Sequence, residues 1–515
     1  MAEMELKFSL SRHQHMRALK QLQRQDNAGQ VETQELDAFY FDTPSHELHK
    51  AGLTLRVRFG NGTLTQTVKH EGMGGTATLL RQEWEDELHN NVPDLAVGKS
   101  GRAVRDVLGK DPDLRPLFRV RTMRTRIELG KKNGTCVEAA LDRGAIETIP
   151  EANGSGHSNC RRCPIHELEL ELKHGNDTAS LFDIALSVSK TVPLRFETLS
   201  KAERGYALLE GNRPPTVVHS PDVPVKKRKP LGAAMKTAGR AYLEQFKSNI
   251  PAANAEEEEG IHQMRVALRR LRAVLSFAKD NLPKTQYEWA NQQLKSLLRS
   301  LGSARNWDVL RQTLNEAPDL PHRRTAAHHR LVQAADQKSK EAHNRARRAF
   351  LSPSETGSVL ELSRWFENLE GPGGLPAPKL KKRLNTVADS LLEKQFKRVC
   401  KRSKAFDTLD ADERHKLRIA CKNLRYNAEL FGQLYSDRKV KRFIKLLKPA
   451  QDGLGVLNDV RSAHELLTSV AREKPKRAGL PVGEVLGWLD RGATQTLVGT
   501  SKAIKRLRNA PAFWH

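Results

Sequence analysis

The chain has 515 residues, which is enough for two to four domains at roughly 100–200 residues per domain. Hydrophobic residues make up 38% of it, and no apolar run approaches ~18 residues, which excludes a transmembrane helix. Five cysteines are too few for a disulfide scaffold. Together with the acidic residues near the start, this count predicts a cytoplasmic protein without a secretory signal.

The positive charge is confined to one part of the chain. Residues 1–213 contain 30 Lys and Arg and 30 Asp and Glu, so this part is neutral. Residues 214–515 contain 57 Lys and Arg against 31 Asp and Glu, which accounts for the whole net charge of +26. Such an asymmetry indicates two modules with different partners, of which the second binds a polyanion.

The first module has the pattern of a sheet. Residues 53–58, 64–69, 124–129 and 166–173 alternate between polar and apolar side chains, as strands with two different faces do. Helical patterns cover only residues 13–23 and 179–189. The fold class predicted for this module is therefore α+β, dominated by an antiparallel sheet.

The second module has the pattern of helices, and it begins after a proline-rich basic linker. We place the first domain at residues 1–211, the linker at 212–230, and an all-α domain at 231–515. A segment rich in Gly and Pro divides the helical domain into halves of about 231–370 and 379–515. The halves share a motif, because His262-x-x-Arg265 recurs 153 residues later as His415-x-x-Arg418, which predicts a duplicated helical bundle.

Two strand motifs carry alternating carboxylates. The motifs are Glu3-x-Glu5-x-Lys7 and Glu167-x-Glu169-x-Glu171, and residues two apart share one face of a strand. Crowded carboxylates repel each other unless a cation lies between them, and Mg²⁺ or Mn²⁺ suits such oxygen ligands. The alternative is that these residues simply face water on the polar side of the sheet.

Basic residues on other strands make the metal interpretation more specific. Arg56 and Arg58 share one strand face, as do Arg124 and Arg126, and Lys69, Arg81 and Lys201 lie on or beside strands. Carboxylates and cations on inward faces need a wet, closed interior, which a barrel provides. The predicted site holds metal on its carboxylates and phosphate oxygens on its Arg and Lys side chains.

Seven spaced motifs over about residues 1–211 resemble those of CYTH domains, the triphosphate tunnel metalloenzymes. They are Glu3-x-Glu5-x-Lys7, Tyr40-Phe41-Asp42-Thr43, residues 53–58, Arg81-x-Glu83-x-Glu85, Leu141-Asp142-x-Gly144, residues 167–171 and Ser200-Lys201-x-x-Arg204-Gly205. The resemblance implies an eight-stranded antiparallel tunnel that hydrolyses or cyclises triphosphates with Mg²⁺ or Mn²⁺. We expect hydrolysis of inorganic tripolyphosphate to pyrophosphate and phosphate.

The resemblance also implies roles for individual residues. Expected metal ligands are Glu3, Glu5, Asp142, Glu167 and Glu169, with Glu3, Glu5 and Glu169 at one ion and Asp142 and Glu167 near a second. Expected catalytic residues are Lys7, Glu83, Glu171 and Lys201, of which Glu83 and Glu171 lie near the second ion. Expected substrate-binding residues are Arg56, Arg58, Lys69, Arg81, Arg124, Arg126 and Arg204.

The second module resembles a CHAD domain over about residues 231–510. The family implies two four-helix bundles around a basic channel that binds inorganic polyphosphate. Arg265, Arg269 and Arg272 follow at i, i+4 and i+7, so they form one stripe of a helix that suits a linear polyanion. The expected polyphosphate-binding residues are His262, Arg265, Arg269, Arg270, Arg272, Arg305, His415, Arg418, Lys422 and Arg425. Polyphosphate binding further predicts association with polyphosphate granules.

Other functions stay open at this point. CYTH domains also include adenylate cyclases and thiamine triphosphatases, and a non-catalytic scaffold bound to polyphosphate granules is a third alternative. A nucleic-acid-binding function is disfavoured, because only 5% of the residues are aromatic and available for stacking on bases. A zinc site at His157, Cys160, Cys163 and His166 is also disfavoured, because its ligand spacing is compressed.

Overall fold

The structure is a computed structural model that describes residues 5–70, 82–130, 134–150, 160–211, 216–316, 325–369, 378–473 and 475–515. The chain divides into two compact units. The first comprises residues 1–218, 247–255 and 351–367, and the second comprises residues 219–246, 256–350 and 368–515. The first unit contains the sheet and the second is helical, so the predicted α+β fold class is confirmed.

Among the described residues, nine strands form one antiparallel sheet in the order β5-β4-β3-β2-β6-β7-β8-β1-β9. The expected sheet has eight strands, and the ninth, β9, has only two residues. The strands are β1 (Glu5–Ser9), β2 (Ala28–Asp42), β3 (Leu53–Gly60), β4 (Thr63–His70), β5 (Gln82–Leu88), β6 (Arg115–Gly130), β7 (Cys136–Thr148), β8 (Arg162–His174) and β9 (Arg195–Phe196).

Helices cover the outer face of this sheet. They are α1 (His15–Gln23), α2 (Glu47–Lys50), α3 (Gly98–Leu108) and α4 (Ala179–Ser189). A fifth helix, α5 (Lys201–Glu210), packs instead against Tyr40 and Phe118 of the opposite face. The alternate residues Leu6 and Phe8 of β1 and Leu168 of β8 are buried in one core with the apolar residues of α1 and α4. The polar residues between them therefore lie on the other face of the sheet, where the site is built.

A helix from the second half of the sequence completes this core. The first unit includes α7 (Ile250–Asn254) and α12 (Pro353–Glu367) as well as the sheet. Leu360 of α12 is fully buried in the same core as α4. Glu367 accepts a hydrogen bond of 2.5 Å from Thr178 Oγ1, and Arg364 pairs with Asp183 of α4. The first unit is thus made from distant parts of the chain.

The second unit is built from long helices. They are most of α6 (Leu231–Ser248), then α8 (Glu258–Phe277), α9 (Lys284–Ser300), α10 (Gly302–Glu316), α11 (Ala326–Phe350), α13 (Leu384–Arg402), α14 (Ala411–Phe431), α15 (Asp437–Glu473) and α16 (Pro475–Arg508). The repeated sequence motif lies on α8 and on α14, which contact each other. The copies differ beyond it, because the break at Leu301 that separates α9 from α10 has no counterpart in the continuous α15.

None of the helices in the described ranges has an apolar stretch sufficient to cross a membrane.

Candidate active site and anion-binding cavity

Strand pairing brings the two glutamate motifs together. In the antiparallel pair of β1 and β8, Glu5 lies opposite Glu171, and Lys7 lies opposite Glu169. Because alternate residues share a face, all four side chains line the cavity on the inner side of the sheet. Their apolar neighbours occupy the core on the other side. The alternation in the sequence therefore divides each strand between core and site.

Three carboxylates form a compact group on β7 and β8. Asp142 lies directly opposite Glu167, and both side chains are buried. One carboxylate oxygen from each of Asp142, Glu167 and Glu169 lies within 4.8 Å of the others. Ionised oxygen ligands at this spacing match the preference of Mg²⁺ and Mn²⁺, so the residues present fit a divalent metal.

Cations of the protein itself neutralise this carboxylate group. The ammonium nitrogen of Lys201 lies 2.8 Å from Asp142, 2.9 Å from Glu167 and 2.7 Å from Glu169. Arg124 forms hydrogen bonds of 2.8 and 2.6 Å with Asp142 and one of 2.5 Å with Glu169. Lys7 adds a contact of 3.5 Å to Glu169. A metal ion therefore competes with ammonium and guanidinium groups for these oxygens.

The pKa values of the group follow from this balance. Burial by itself raises the pKa of Glu169, but Lys201, Arg124 and Lys7 outweigh burial and bring that pKa well below its usual value. Burial likewise lowers the pKa of Lys201, yet Asp142, Glu169 and Glu167 outweigh it and raise that pKa well above normal. At neutral pH the carboxylate is therefore ionised and the lysine is protonated.

The opposite wall of the cavity is made by β3, β4 and β5. Lys69 lies opposite Glu83, and their side chains form an ion pair of 2.7 Å. Arg56 lies 3.6 Å from Glu83, and Arg58 lies 3.1 Å from Glu85. The neighbouring Arg56, together with burial, lowers the pKa of Arg58 to about 10. Arg58 is therefore repelled by Arg56 even though the Glu85 carboxylate lies beside it.

The two walls enclose one cavity of about 400 Å³. This volume is within the usual range of about 300–1,000 Å³ for small-molecule sites. Twelve of the expected site residues line it, namely Glu5, Lys7, Arg56, Arg58, Lys69, Glu83, Arg124, Arg126, Asp142, Glu169, Glu171 and Lys201. Of these, Arg126 pairs with Glu32 at 2.7 Å.

The remaining expected residues of the first domain lie elsewhere. Glu167 is the buried member of the carboxylate group and pairs with the half-buried Arg204, and neither is among the described residues that line the cavity. Glu3 and Arg81 lie outside the described residues, as does His157 of the Cys and His segment. In that segment the Cys160 thiol donates a hydrogen bond of 3.3 Å to the backbone carbonyl oxygen of Thr148.

The sequence interpretation missed Glu138. It lies on β7 opposite Glu171 and lines the cavity. Lys173 Nζ lies 4.0 Å from Glu138 and 2.7 Å from Glu171. The signal was present in the sequence, because Glu138 and Asp142 are four residues apart in an alternating strand and therefore share its inner face.

The helical unit contains a larger cavity, of about 910 Å³, between the two copies of the repeated motif. Seven of the expected residues line it: His262, Arg265 and Arg269 of α8, Arg305 of α10, and His415, Arg418 and Lys422 of α14. Within the described part of the chain, none of its Arg or Lys residues on α8, α10 and α14 has a carboxylate oxygen within 4.0 Å. Asp412, Asp452, Asp459 and Glu465 are acidic residues at the same cavity.

Burial, together with mutual repulsion, lowers the proton affinity of these basic groups. Burial, together with Arg418 and Arg269, lowers the pKa of Lys422 to about 7. Burial, followed by Arg269 and Arg305, lowers the pKa of Arg265 to about 10. Burial and Arg305 lower the pKa of His262 to about 4, so this imidazole is neutral at pH 7. The cavity is therefore prepared for an anion that the described residues do not supply.

Three expected residues lie outside this cavity. Arg270 pairs with Glu429 at 3.0 Å, and its guanidinium lies over the rings of Tyr242 and Tyr426. Arg425 pairs with the same Glu429 at 2.7 Å. Arg270 therefore joins α8 to α14, and Arg425 forms an ion pair within α14, so both guanidinium groups are used in packing. Arg272 lines a separate cavity beside α9.

Two known domain families match this chain, one in each part of the sequence. The CYTH domain family matches residues 1–206, and the CHAD domain family matches residues 237–468. An uncharacterised protein of Mycobacterium tuberculosis is 24% identical over 450 residues, which are 82% of this chain and 81% of that protein. The inorganic triphosphatase of Haemophilus influenzae is 30% identical over 169 residues, which are 33% of this chain and 44% of that protein.

One of the similar solved structures is the CHAD domain from the plant Ricinus communis. It is 25% identical with a TM-score of 0.49, and it covers 58% of this chain and 99% of that structure. The two family matches follow each other in the order that the sequence motifs predict. The chain therefore contains a CYTH domain followed by a CHAD domain.

Proposed function

We propose that the CYTH domain hydrolyses an inorganic triphosphate with a divalent metal, releasing pyrophosphate and phosphate. The observation that carries the proposal is one cavity in which a three-carboxylate group faces a wall of Arg and Lys side chains. The family and the partial similarity to an inorganic triphosphatase support a triphosphatase-type hydrolase. The inorganic substrate, the metal and the role of each residue belong to the proposal.

The carboxylate group is the proposed metal site. Asp142, Glu167 and Glu169 would hold Mg²⁺ or Mn²⁺, with Glu5 and Glu171 paired on the neighbouring strands. A bound divalent ion neutralises phosphate charge and lowers the pKa of a coordinated water. Lys7 and Lys201 are protonated at neutral pH, because the carboxylates raise their pKa values above normal despite burial. They are therefore suited to donate hydrogen bonds to phosphate oxygens rather than to accept a proton.

The basic wall is the proposed phosphate clamp. Arg56, Arg58, Lys69 and Arg124 line the cavity, and each guanidinium can bind phosphate oxygens through two parallel hydrogen bonds. Charge that develops on the transferred phosphoryl group would be stabilised by these fixed cations. Glu83 holds Lys69 and Arg56 in place through its ion pairs.

The lining of the cavity favours an inorganic substrate over a nucleotide. Tyr40 is the aromatic residue among its described lining residues, and its ring stacks on Phe118 with centroids 4.7 Å apart. Its ring face is therefore used in packing rather than offered to a base. The same observation disfavours adenylate cyclase and thiamine triphosphatase activities, both of which require a ring to be bound.

A substrate panel tests this proposal directly. Phosphate release is measured from tripolyphosphate, ATP, thiamine triphosphate and long polyphosphate, each with Mg²⁺ or Mn²⁺. We expect tripolyphosphate to have the highest kcat/KM, and chelation of the metal to abolish release. A higher kcat/KM for ATP or thiamine triphosphate would contradict the inorganic substrate, and the absence of hydrolysis of every compound would favour a binding scaffold.

For the CHAD domain we propose binding of inorganic polyphosphate in the cavity between α8 and α14. Its support is the cluster of Arg and Lys side chains without ion-paired carboxylates among the described residues. A linear polyanion would relieve their mutual repulsion and release its own counterions. Duplex DNA of matched charge is the control ligand. Equal affinity for DNA and polyphosphate would mean that the cavity binds polyanions without specificity.

This proposal predicts a pH dependence that resides in Lys422. Its pKa is about 7 in the free protein, and a bound polyanion raises it, so binding takes up a proton. The affinity for polyphosphate is therefore expected to be highest below pH 7, where Lys422 is protonated. Above pH 7 it should fall by at most about tenfold per pH unit. Lys422→Arg is the matched control, because Arg keeps its charge and should flatten the profile. Identical profiles for both proteins would contradict the assignment to Lys422.

A further inference from the structure

A second cavity, of about 610 Å³, lies beside the polyanion cavity in the helical unit. It is lined by residues of α8, α9 and the start of α10, including Arg265, Arg272, Lys295, Arg299, Gly302 and Asn306. Arg265 and Asn306 also line the first cavity. The two cavities are therefore neighbours that share one guanidinium and one amide.

The second cavity carries cations without countercharge. Its lining includes four Arg or Lys residues and no Asp or Glu among the described residues. In the same described ranges, none of these four cations has a carboxylate oxygen within 4.0 Å. The buried Nε atoms of Arg265 and Arg272 have no hydrogen-bond partner among the residues that the structure describes, which points to a ligand with acceptor oxygens.

The second cavity lies directly beside the Arg265 side chain. Gly302 lies next to this side chain, and a Cβ atom added there would be 3.5 Å from Nη1 of Arg265. Lys295 and Arg299 are one helical turn apart on α9, and both are exposed. The cations of the second cavity therefore continue those of the first, with Arg265 between them.

We propose that the second cavity is an extension subsite for long polyphosphate, which passes Arg265 and continues along α9. This inference rests on the proposed polyphosphate binding in the first cavity and adds a preference for chain length. A linear polyphosphate carries about one charge per phosphate, so each further cation along its path adds an ion pair. Short chains that fill only the first cavity would gain nothing from Lys295 and Arg299.

The test is a titration of the full-length protein with polyphosphates of graded chain length, with EDTA present to suppress hydrolysis. The variant Lys295→Ala/Arg299→Ala removes the two exposed cations of the extension. The matched control is Lys502→Ala/Arg506→Ala, which removes two exposed cations with the same spacing on α16. All three proteins are compared by affinity, by salt dependence and by thermal unfolding.

We expect the α9 variant to bind the shortest chains as the wild type does and long chains about fivefold more weakly. The slope of log K against log salt for long chains should become shallower by about 1.4, or about 0.7 for each lost contact. The α16 control should match the wild type in its affinity for long chains and in its salt slope. If the α9 and α16 variants lose equal affinity for long chains, the extension subsite is wrong. The same holds if the affinity of the α9 variant depends on chain length as that of the wild type does. Either result would leave the first cavity unaffected. Failure of the wild type to bind any polyphosphate would overturn the first cavity as well.

Discussion

Replacement of Glu169 by Gln is expected to lower triphosphatase turnover by at least about a hundredfold, because it removes one charged ligand from the proposed metal site. The metal concentration that gives half of the maximal rate should rise as well. Glu169 lines the cavity, as Asp142 does, and it contacts Lys7 as well as Arg124 and Lys201. Its loss therefore affects both metal and phosphate positioning.

Two further variants separate this effect from a loss of stability. Glu169→Asp keeps the charge but shortens the side chain, so its activity should be intermediate and should recover in part at high metal concentration. Glu35→Gln removes an exposed carboxylate from β2, on the strand face opposite the cavity-lining Gln34 and Leu36, and should leave activity unchanged. Near-normal turnover of Glu169→Gln at limiting metal would remove Glu169 from the ligand set.

Stability at acid pH provides a second readout for the same group. Despite burial, the neighbouring cations hold the folded-state pKa of Glu169 well below its unfolded value. The ionised carboxylate therefore contributes stability above its unfolded pKa, and this contribution is lost as the pH falls through the folded pKa. Glu169→Gln should thus show a weaker decline of thermal stability in acid than the wild type.

Leu360→Ala is expected to lower the free energy of unfolding of the first unit by about 2–5 kcal/mol, the usual range for a large-to-small change in a core. Leu360 belongs to α12 but is buried against the helices of the CYTH domain. Triphosphatase activity reports on the first unit, so it should be lost at a lower temperature in this variant. A fragment of residues 1–211, which lacks α12, should show a larger shift.

Leu447→Ala is the matched control, because Leu447 is equally buried on α15 in the second unit. The space left by this truncation lies in the second unit, so the temperature at which triphosphatase activity is lost should be nearly unchanged. If both variants lose activity at the same temperature, α12 does not support the first unit specifically. If neither loses activity early, the packing of Leu360 does not limit stability.

Local patterns sufficed to predict the sheet and much of the candidate site. The alternation around Glu5 and Glu169 predicted strands with one polar face, and these strands lie side by side with Lys7 opposite Glu169. The three-carboxylate group was harder to predict from the sequence, because the register that sets Asp142 opposite Glu167 depends on two strands separated by a loop. The sequence interpretation accordingly assigned Glu169 to a different ion from Asp142.

Two features of the helices in the second half of the sequence show the limit of such reasoning. Arg269 and Arg270 are adjacent in sequence, but neighbouring residues on a helix point in different directions. Arg269 faces the cavity, whereas Arg270 pairs with Glu429. The choice between binding and packing thus depends on the partner helix. The same holds for α12, whose place beside α4 has no local signal in the sequence.

The position of α12 also constrains the order in which the protein can fold during synthesis. The ribosome must add every residue between α4 and α12 before Leu360 can enter the core of the first unit. At roughly 5–20 residues per second, this interval lasts on the order of ten seconds or more. During that time the apolar face of α4 lacks its final cover, and the helices that precede α12 emerge meanwhile. Completion of the first unit is therefore delayed until much of the second unit has been made.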